Sequence, residues 1–135
     1  MRVAAAGLIL VLLPASAGAA CYSWPVLRVY DGDTITVSID TLPPELREVG
    51  VRLANIDAPE LRADCPSEKD QAKAAKEALA QLLASGPVQV CPIRWEKYGR
   101  ILATVWAGQV DVGEELVRRG LARPYDGGER GDWCW

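Results

Sequence analysis

Two short acidic segments of this 135-residue chain carry side chains that could bind a cation. The first is DGDT at residues 31–34, between two runs of β-forming residues, and the second is DAPE at residues 57–60, after a third such run. Hard divalent cations prefer carboxylate and carbonyl oxygens as ligands. Taken alone, however, DGDT is explained by a hairpin turn in which aspartate favours the turn and Gly32 supplies a positive φ. A role in cation binding can therefore be assigned to DGDT only if other parts of the sequence supply further ligands or charged residues for the same site.

Two arginines stand close to predicted strand ends and could bind an anion. Arg52 lies within an otherwise apolar strand pattern, and Arg100 follows the turn-forming segment KYG. The planar fork of a guanidinium matches the oxygens of a phosphate. Each arginine also has a simpler interpretation: Arg52 as the salt-bridge partner of Asp57 or Glu60, and Arg100 as a solvated strand end. Together with the carboxylates, the two arginines indicate a site for a metal and a phosphate.

The chain contains no histidine. Ser-His-Asp and Cys-His nucleophilic catalysis are therefore excluded. Any acid–base chemistry must come from carboxylates, lysine, tyrosine or a metal-bound water.

Hydrophobic patterns and breaker residues predict five strands and two helices. The predicted strands are Val26–Tyr30, Ile35–Ile39, Val51–Ile56, Val88–Ile93 and Arg100–Ala107. A helix is predicted from an N-cap at Ser67 to Gly86-Pro87, with one apolar stripe, and a shorter one runs from Asp111 or Gly113 to Arg119. Residues 40–50 are predicted to be loop, and the tail from Arg123 has no periodicity. Three strands, a helix, two strands and a helix predict an α+β, mainly β, five-stranded OB-fold barrel with two packed helices.

Four segments in this order carry a family resemblance. DGDT, RLANIDAPE, KYGR and ELVRRGLARPY together resemble the staphylococcal nuclease (thermonuclease) family, from about Val26 to Tyr125. The resemblance implies an OB-fold barrel with packed helices. It also implies calcium-dependent hydrolysis of phosphodiester bonds in DNA and RNA.

The resemblance implies a set of metal ligands. Asp33 matches the metal-ligand aspartate of DGDT, and Asp57 matches the second ligand. Ala58 matches the position that provides a backbone carbonyl. The family often has threonine there, so alanine keeps the carbonyl and loses a hydroxyl.

The resemblance also implies catalytic and substrate-binding residues. Glu60 matches the carboxylate that activates or orients the attacking water, and Arg52 and Arg100 match the two phosphate-clamping arginines. Charge-assisted hydrogen bonds from these arginines would strengthen as charge builds on the phosphate. The candidate substrate contacts are Lys97, Tyr98 and Tyr125.

The charge balance does not by itself favour a nucleic-acid partner. The chain has 15 basic and 18 acidic residues, a net charge of −3. Long-range attraction of a polyanion requires positive charge, so a nucleic acid would have to be held by local basic groups. The available ones are Arg62, Lys69, Lys97 and Arg123.

Residues 1–20 have the layout of a secretory signal peptide: Arg2, an apolar run and a small-residue exit, with cleavage after Ala17 or Ala20. A membrane anchor is the alternative, but the run is shorter than the roughly 20 residues that span a bilayer. Cleavage before Cys21 would give a lipoprotein, which Gly18 disfavours. We therefore expect a secreted or periplasmic, monomeric domain of residues 21–135 without a stable membrane span.

The four cysteines are expected to form disulfides, because the predicted signal peptide indicates an exported chain. Zinc is disfavoured, since there is no histidine and no C-x-x-C pair. In the barrel implied by the resemblance the first and fourth strands are neighbours, which implies a Cys21–Cys91 bond. Cys65 and Cys134 then remain, and this pairing is one of three possible connectivities.

Two other classes of protein fit parts of the pattern. A catalytically silent OB-fold module that binds nucleic acid or protein would share the fold, because this barrel serves many functions. A small disulfide-bonded envelope protein could contain a structural cluster of arginine and carboxylate. Neither has a chemical need for two metal-ligand aspartates, a glutamate and two arginines together.

Overall fold

The computed structural model describes residues 20–134. Its strands are β1 (Val26–Asp31), β2 (Thr34–Ser38), β3 (Glu48–Leu53), β4 (Ile56–Asp57), β5 (Val88–Trp95), β6 (Ile101–Ala107), β7 (Val110–Asp111) and β8 (Arg123–Pro124). The helices are α1 (Pro66–Leu83) and α2 (Val112–Arg118), with single 3-10 turns at Pro44–Leu46 and Lys97–Gly99. The predicted α+β, mainly β class with two helices is confirmed.

The five long strands form one sheet in the order β1-β2-β3-β6-β5. All neighbours are antiparallel except β3 and β6, which are parallel. Tyr22, just before β1, forms a two-bond bridge with Val90 of β5, so the segment that leads into one edge strand pairs with the opposite edge strand. This order and this bridge agree with the predicted OB fold. Strands β4 and β8 pair separately from the main sheet.

The core lies between the sheet and α1. The predicted apolar stripe of α1 is buried, and it packs on alternate residues of β2, β3 and β6. Fully buried members of this core are Ile35, Val37, Val51, Leu79, Val105 and Leu116. Alternation of side chains across each strand therefore leaves the opposite residues free to form surface sites.

Helix boundaries differ from the prediction at one end of α1. The N-cap is Cys65 rather than Ser67, and Pro66 takes the first helical position. Proline suits that position because its fixed φ is already helical and its missing N–H has no partner there in any helix. For α2 the Asp111 alternative holds, since its carboxylate accepts the Glu114 amide N–H at 3.1 Å.

The predicted loop and third strand need two corrections. Strand β3 begins at Glu48, because Glu48 to Gly50 pair with the end of β2, and Pro44 opens a 3-10 turn instead of excluding regular structure. The strand also stops at Leu53 rather than Ile56. A turn follows in which Asn55 has a φ of 66°, and the chain resumes as β4.

Two disulfides cross-link the described chain, and their pairing agrees with the one that the resemblance implies. Cys21–Cys91 joins the first described residues to β5, and Cys65–Cys134 joins the start of α1 to the tail. The predicted signal peptide lies outside the described residues except for Ala20. Between residues 20 and 134, no helix is long and apolar enough to cross a membrane.

Candidate active site

The DGDT segment forms a tight turn between β1 and β2. The carboxylate of Asp31 accepts the amide N–H of Asp33 at 3.1 Å, so Asp31 holds the turn together. The expected positive φ at Gly32 is wrong. Glycine is required for space instead: a Cβ there would lie 2.6 Å from the Ala75 Cβ on α1 and 2.9 Å from the Ala58 Cβ. The turn is therefore pressed against both the helix and the second acidic segment.

The carboxylate of Asp33 connects the two acidic segments. Its Oδ2 accepts the amide N–H of Ala58 at 2.9 Å, and its Oδ1 accepts the Thr34 hydroxyl at 3.0 Å. Oδ2 also lies 3.1 Å from Nη1 of Arg52. Because Asp33 is only 3% exposed, these contacts satisfy a carboxylate that would otherwise be costly to bury.

Arg52 reaches the same point from β3. Its Nη1 donates to the carbonyls of Leu53 and Ile56 at 3.2 and 3.1 Å, which fixes the guanidinium against the turn before β4. Its nearest carboxylate is Asp33, whereas Asp57 Oδ1 is 3.9 Å from Nη2. Arg52 therefore does form a salt bridge, as its simpler interpretation predicted, but its main partner is Asp33 rather than Asp57 or Glu60.

A residue of the tail completes the carboxylate cluster. Arg130 donates from Nε to Asp57 Oδ1 at 2.8 Å, and its two terminal nitrogens contact Asp57 and Glu60. The buried indole of Trp133 adds a 3.4 Å hydrogen bond to Asp57 Oδ2. Sequence reasoning missed both residues, because the segment is rich in glycine and shows no periodicity. Only the neighbouring Cys134, paired with Cys65, indicated that the tail returns to the domain.

Arg123 holds the tail rather than standing free as a basic group for a nucleic acid. Its Nη1 donates to the Asp132 carbonyl at 2.7 Å, and its guanidinium carbon lies 3.8 Å from the Trp133 ring centre. Arg123 therefore stabilises the tail, and other basic groups would have to contact a nucleic acid.

Most of the predicted site residues line one cavity of about 290 Å³. The cavity brings together five of them: Asp33, Arg52, Glu60, Arg100 and Tyr125. Five further residues complete its wall: Tyr30, Asp31, Thr34, Glu96 and Arg130. Asp57 and Ala58 lie directly behind this wall, in contact with Arg130 and Asp33.

Lys97 and Tyr98 lie outside this cavity. They line an adjoining concavity of about 440 Å³ that shares Glu96 and Arg100 with the first one. Tyr98 is 95% exposed and has a φ of 66°, in a single 3-10 turn. The two residues are thus placed to contact a ligand that extends beyond the cavity.

Arg100 precedes β6 directly and its side chain is 41% exposed, so its simpler interpretation as a solvated strand end holds only in part. Its stem packs over Gly50, and its Nη2 lies 3.5 Å from Glu96 Oε2. Within residues 20–134 its Nε is buried without a hydrogen-bond partner. An unsatisfied buried donor costs about 1–3 kcal/mol, so an acceptor at this nitrogen would be favourable.

The site carries more negative than positive charge at its acidic end. Four carboxyl groups stand against two guanidiniums there, so the balance is negative even when one of the four is protonated: Asp31, Asp33, Asp57 and Glu60 against Arg52 and Arg130. Burial and the neighbouring Asp33 raise the pKa of Asp31 to about 7. Burial alone would lower the pKa of Arg130, but the hydrogen bonds and charges of Asp57 and Glu60 outweigh it and raise that pKa. Carboxylate oxygens are the ligands that a hard cation such as Ca²⁺ prefers, so the chemistry of the buried Asp33 and Asp57 side chains fits this ion.

Comparison with known proteins agrees with this geometry. Residues 50–131 match the family model described as staphylococcal nuclease homologue. An uncharacterized endonuclease of Escherichia coli is 35% identical over 115 residues, which cover 78% of this chain and 68% of that protein. A thermonuclease of Staphylococcus hyicus is 36% identical over 103 residues, 75% of this chain and 58% of that protein. Protein ParB of E. coli is 35% identical over 130 residues, 90% of this chain and 67% of that protein.

The fold, the cavity and the matched proteins together show that this protein is a hydrolase that acts on phosphodiester bonds. The chain belongs to the staphylococcal nuclease family. The matched range includes Arg52, Asp57, Glu60 and Arg100, whereas Asp33 lies before it and reaches the site through the turn described above.

Proposed function

We propose that this protein is a calcium-dependent nuclease that hydrolyses DNA, RNA or both in the cavity between the DGDT turn, β3 and the tail. The observation that carries the proposal is the pair of contacts of Asp33, to the Ala58 amide and to Arg52. They join the DGDT turn to β3 and to the DAPE segment, which follow it in the chain, into one site that contains both carboxylates and guanidiniums.

Asp33, Asp57 and the carbonyl of Ala58 would hold the calcium ion. Both carboxylates are 3% exposed, so they are shielded from competing water. Bound calcium would supply positive charge to a phosphate oxygen and make an adjacent water easier to deprotonate. Asp31, which accepts the Asp33 amide, fixes the angle from which Asp33 approaches.

Arg52 and Arg100 would bind the phosphate. A phosphodiester repels an incoming water through the charge on its oxygens, and guanidinium donors reduce that charge as it builds. Arg52 is held by two backbone carbonyls, and Arg100 is held by the packing of its stem on Gly50 and by Glu96 at 3.5 Å. Each arginine is therefore positioned before a substrate arrives, and removal of either should cost about 2.7–4 kcal/mol in the barrier.

Glu60 would orient the attacking water and accept its proton. Its side chain is 45% exposed, so it reaches solvent in the cavity, and it contacts Arg130. Its backbone N–H donates to Glu68 of α1 at 3.0 Å, which ties the residue to the helix. Carboxylate is the available base, because the chain has no histidine.

Tyr125, Lys97 and Tyr98 would contact the nucleotides on either side of the cleaved bond. The Tyr125 hydroxyl donates to the Gly128 carbonyl at 2.8 Å, which leaves its ring on the cavity wall beside Arg52. A fixed aromatic ring offers a stacking surface to any base. We also propose that the protein is exported and acts as a monomer, and the two disulfides support an oxidising compartment.

One observation favours the alternative of a catalytically silent OB-fold module. Arg130 already pairs with Asp57 and Glu60, two of the residues that the nuclease proposal assigns to catalysis. Such a cluster could serve packing of the tail alone. The two functions differ in whether cleavage occurs at all.

The test is digestion of single-stranded DNA and RNA with calcium or with a chelator. We expect cleavage only with calcium, and a loss of about 10²–10³-fold in Glu60→Gln and Arg100→Ala. Arg118→Ala is the matched control, because Arg118 pairs with Glu115 on the exposed side of α2. Equal cleavage with chelator would remove calcium from the proposal. Strand binding without cleavage under either condition would establish the silent module.

A further inference from the structure

Large aromatic side chains are exposed on a face that has no assigned role. Trp95, at the end of β5, is 63% exposed, and Tyr22 is 45% exposed. The Tyr22 ring stacks on Trp24 with ring centres 4.7 Å apart and planes 5° from parallel. Together with the 95%-exposed Tyr98, these residues form a surface that we call the aromatic track. Clustered apolar surface of this kind marks an interaction site.

The aromatic track is continuous with the active-site cavity. Tyr22, Trp24 and Trp95 line a concavity of about 380 Å³. It shares Arg94 and Trp95 with the concavity that holds Tyr98. That concavity in turn shares Glu96 and Arg100 with the active-site cavity. A ligand that leaves the cavity past Arg100 therefore meets Tyr98, then Trp95, then the Tyr22–Trp24 pair.

Positive charge lies along this path even though the whole chain is acidic. Arg94, Lys97 and Arg100 line the middle concavity, and its single acidic residue, Glu96, pairs with Arg100. Cationic groups interleaved with exposed aromatic rings are what single-stranded nucleic acids bind, because phosphates meet the cations while unpaired bases stack on the rings. An apolar peptide would gain nothing from the cations.

We propose that the aromatic track binds the single strand that extends out of the active-site cavity, with a base stacked on Trp95. This rests on the proposed function in that the same strand enters the cavity. A duplex is a poor ligand for the track, since its bases already stack on one another. The affinity for a single strand thus rises with its length until the Tyr22–Trp24 pair is reached.

Fluorescence anisotropy with labelled oligothymidylates tests the proposal, in chelator so that no strand is cut. We expect Trp95→Ala to weaken binding of a 12-nucleotide strand by about 5- to 150-fold, the range for loss of one stacked base. Binding of a 3-nucleotide strand should be unchanged. Trp106→Ala is the matched control, because Trp106 is 37% exposed on β6 and lines none of the three concavities. Circular dichroism verifies folding of each variant.

Equal affinity of native protein and Trp95→Ala for the long strand would overturn the proposal. So would equal affinity of the native protein for a 12-base-pair duplex and the single strand. If Trp95→Ala instead abolishes self-association in sedimentation, the track is a contact between two copies and the proposal also fails. Trp95-dependent binding without any cleavage would leave this inference standing while the proposed nuclease function fails.

Discussion

Two regions of the molecule supply an arginine to the same carboxylate cluster, and they hold it in different ways. Arg52 comes from the middle of the sheet, is 8% exposed, and is fixed by paired strands on both sides of β3. Arg130 comes from a tail without regular pairing, and its side chain is 44% exposed. Its position depends on one disulfide and on the contacts of Arg123 and Trp133. Similar ion pairs therefore contribute differently to stability and to function.

The largest loss of stability and activity should result from removing Arg52, the arginine that comes from the sheet. Arg52→Ala leaves Asp33 buried without its cation and removes two hydrogen bonds to carbonyls. Removing one partner of a buried ion pair costs about 3–5 kcal/mol of unfolding free energy, and cleavage should be lost with it. Urea unfolding measures the first quantity. A loss below about 1 kcal/mol would show that the two arginines are equivalent after all.

The second-largest loss of stability should result from removing the Cys65–Cys134 disulfide, which attaches the tail to α1. Cys65 and Cys134 are separated by 69 residues, so replacing both by serine should cost about 4 kcal/mol through the unfolded chain. The Cys21–Cys91 pair spans 70 residues and serves as the matched control with a similar cost. Only the Cys65/Cys134 variant should expose Arg130 to trypsin, which mass spectrometry detects as cleavage after that residue. Equal cleavage rates in both double variants would contradict the role assigned to this disulfide.

Arg130→Ala should change calcium binding more than stability. Without Arg130, the buried Asp57 keeps the Trp133 hydrogen bond and the Arg52 guanidinium 3.9 Å away, and water can enter the space of the half-exposed side chain, so we expect a loss of about 1 kcal/mol or less in unfolding free energy. Removal of Arg130 frees Asp57, however, so calcium affinity measured by calorimetry should rise by up to about tenfold, since the ion no longer competes with a guanidinium. Arg118→Ala should leave that affinity unchanged. Weaker calcium binding in Arg130→Ala would mean that Arg130 helps to position Asp57 for the ion.

The smallest effect is expected for Trp133→Phe. Phenylalanine keeps an apolar ring in the buried position but loses the long hydrogen bond to Asp57 Oδ2. We expect a loss of about 1 kcal/mol or less in urea unfolding, close to the contribution of one hydrogen bond. A loss above about 2 kcal/mol would show that contacts of the tail contribute as much to the unfolding free energy as contacts of the sheet.

The same comparison explains what the sequence could predict. The sheet side is encoded by alternation of apolar residues and by short motifs, so the sequence predicts its strands, and the family resemblance that the motifs carry implies Asp33, Arg52 and Arg100 as site residues. Gly32 was identified for the wrong reason, because the closeness of α1 is a property of packing and not of local sequence. The roles of Arg130 and Trp133 depend on a covalent link to a residue 69 positions away, which leaves no periodic signal.

The close packing of Gly32 on Ala58 and Ala75 has a further consequence. The spacing between the two segments that we propose to hold the metal depends on the thickness of side chains that have no functional atoms of their own. Cation size selectivity should therefore respond to the volume at these three positions, with larger residues at 58 or 75 opening the gap and favouring ions of larger radius. Substitutions at positions that provide no side-chain ligand would then change the ionic radius that this enzyme accepts, while every ligand atom is kept.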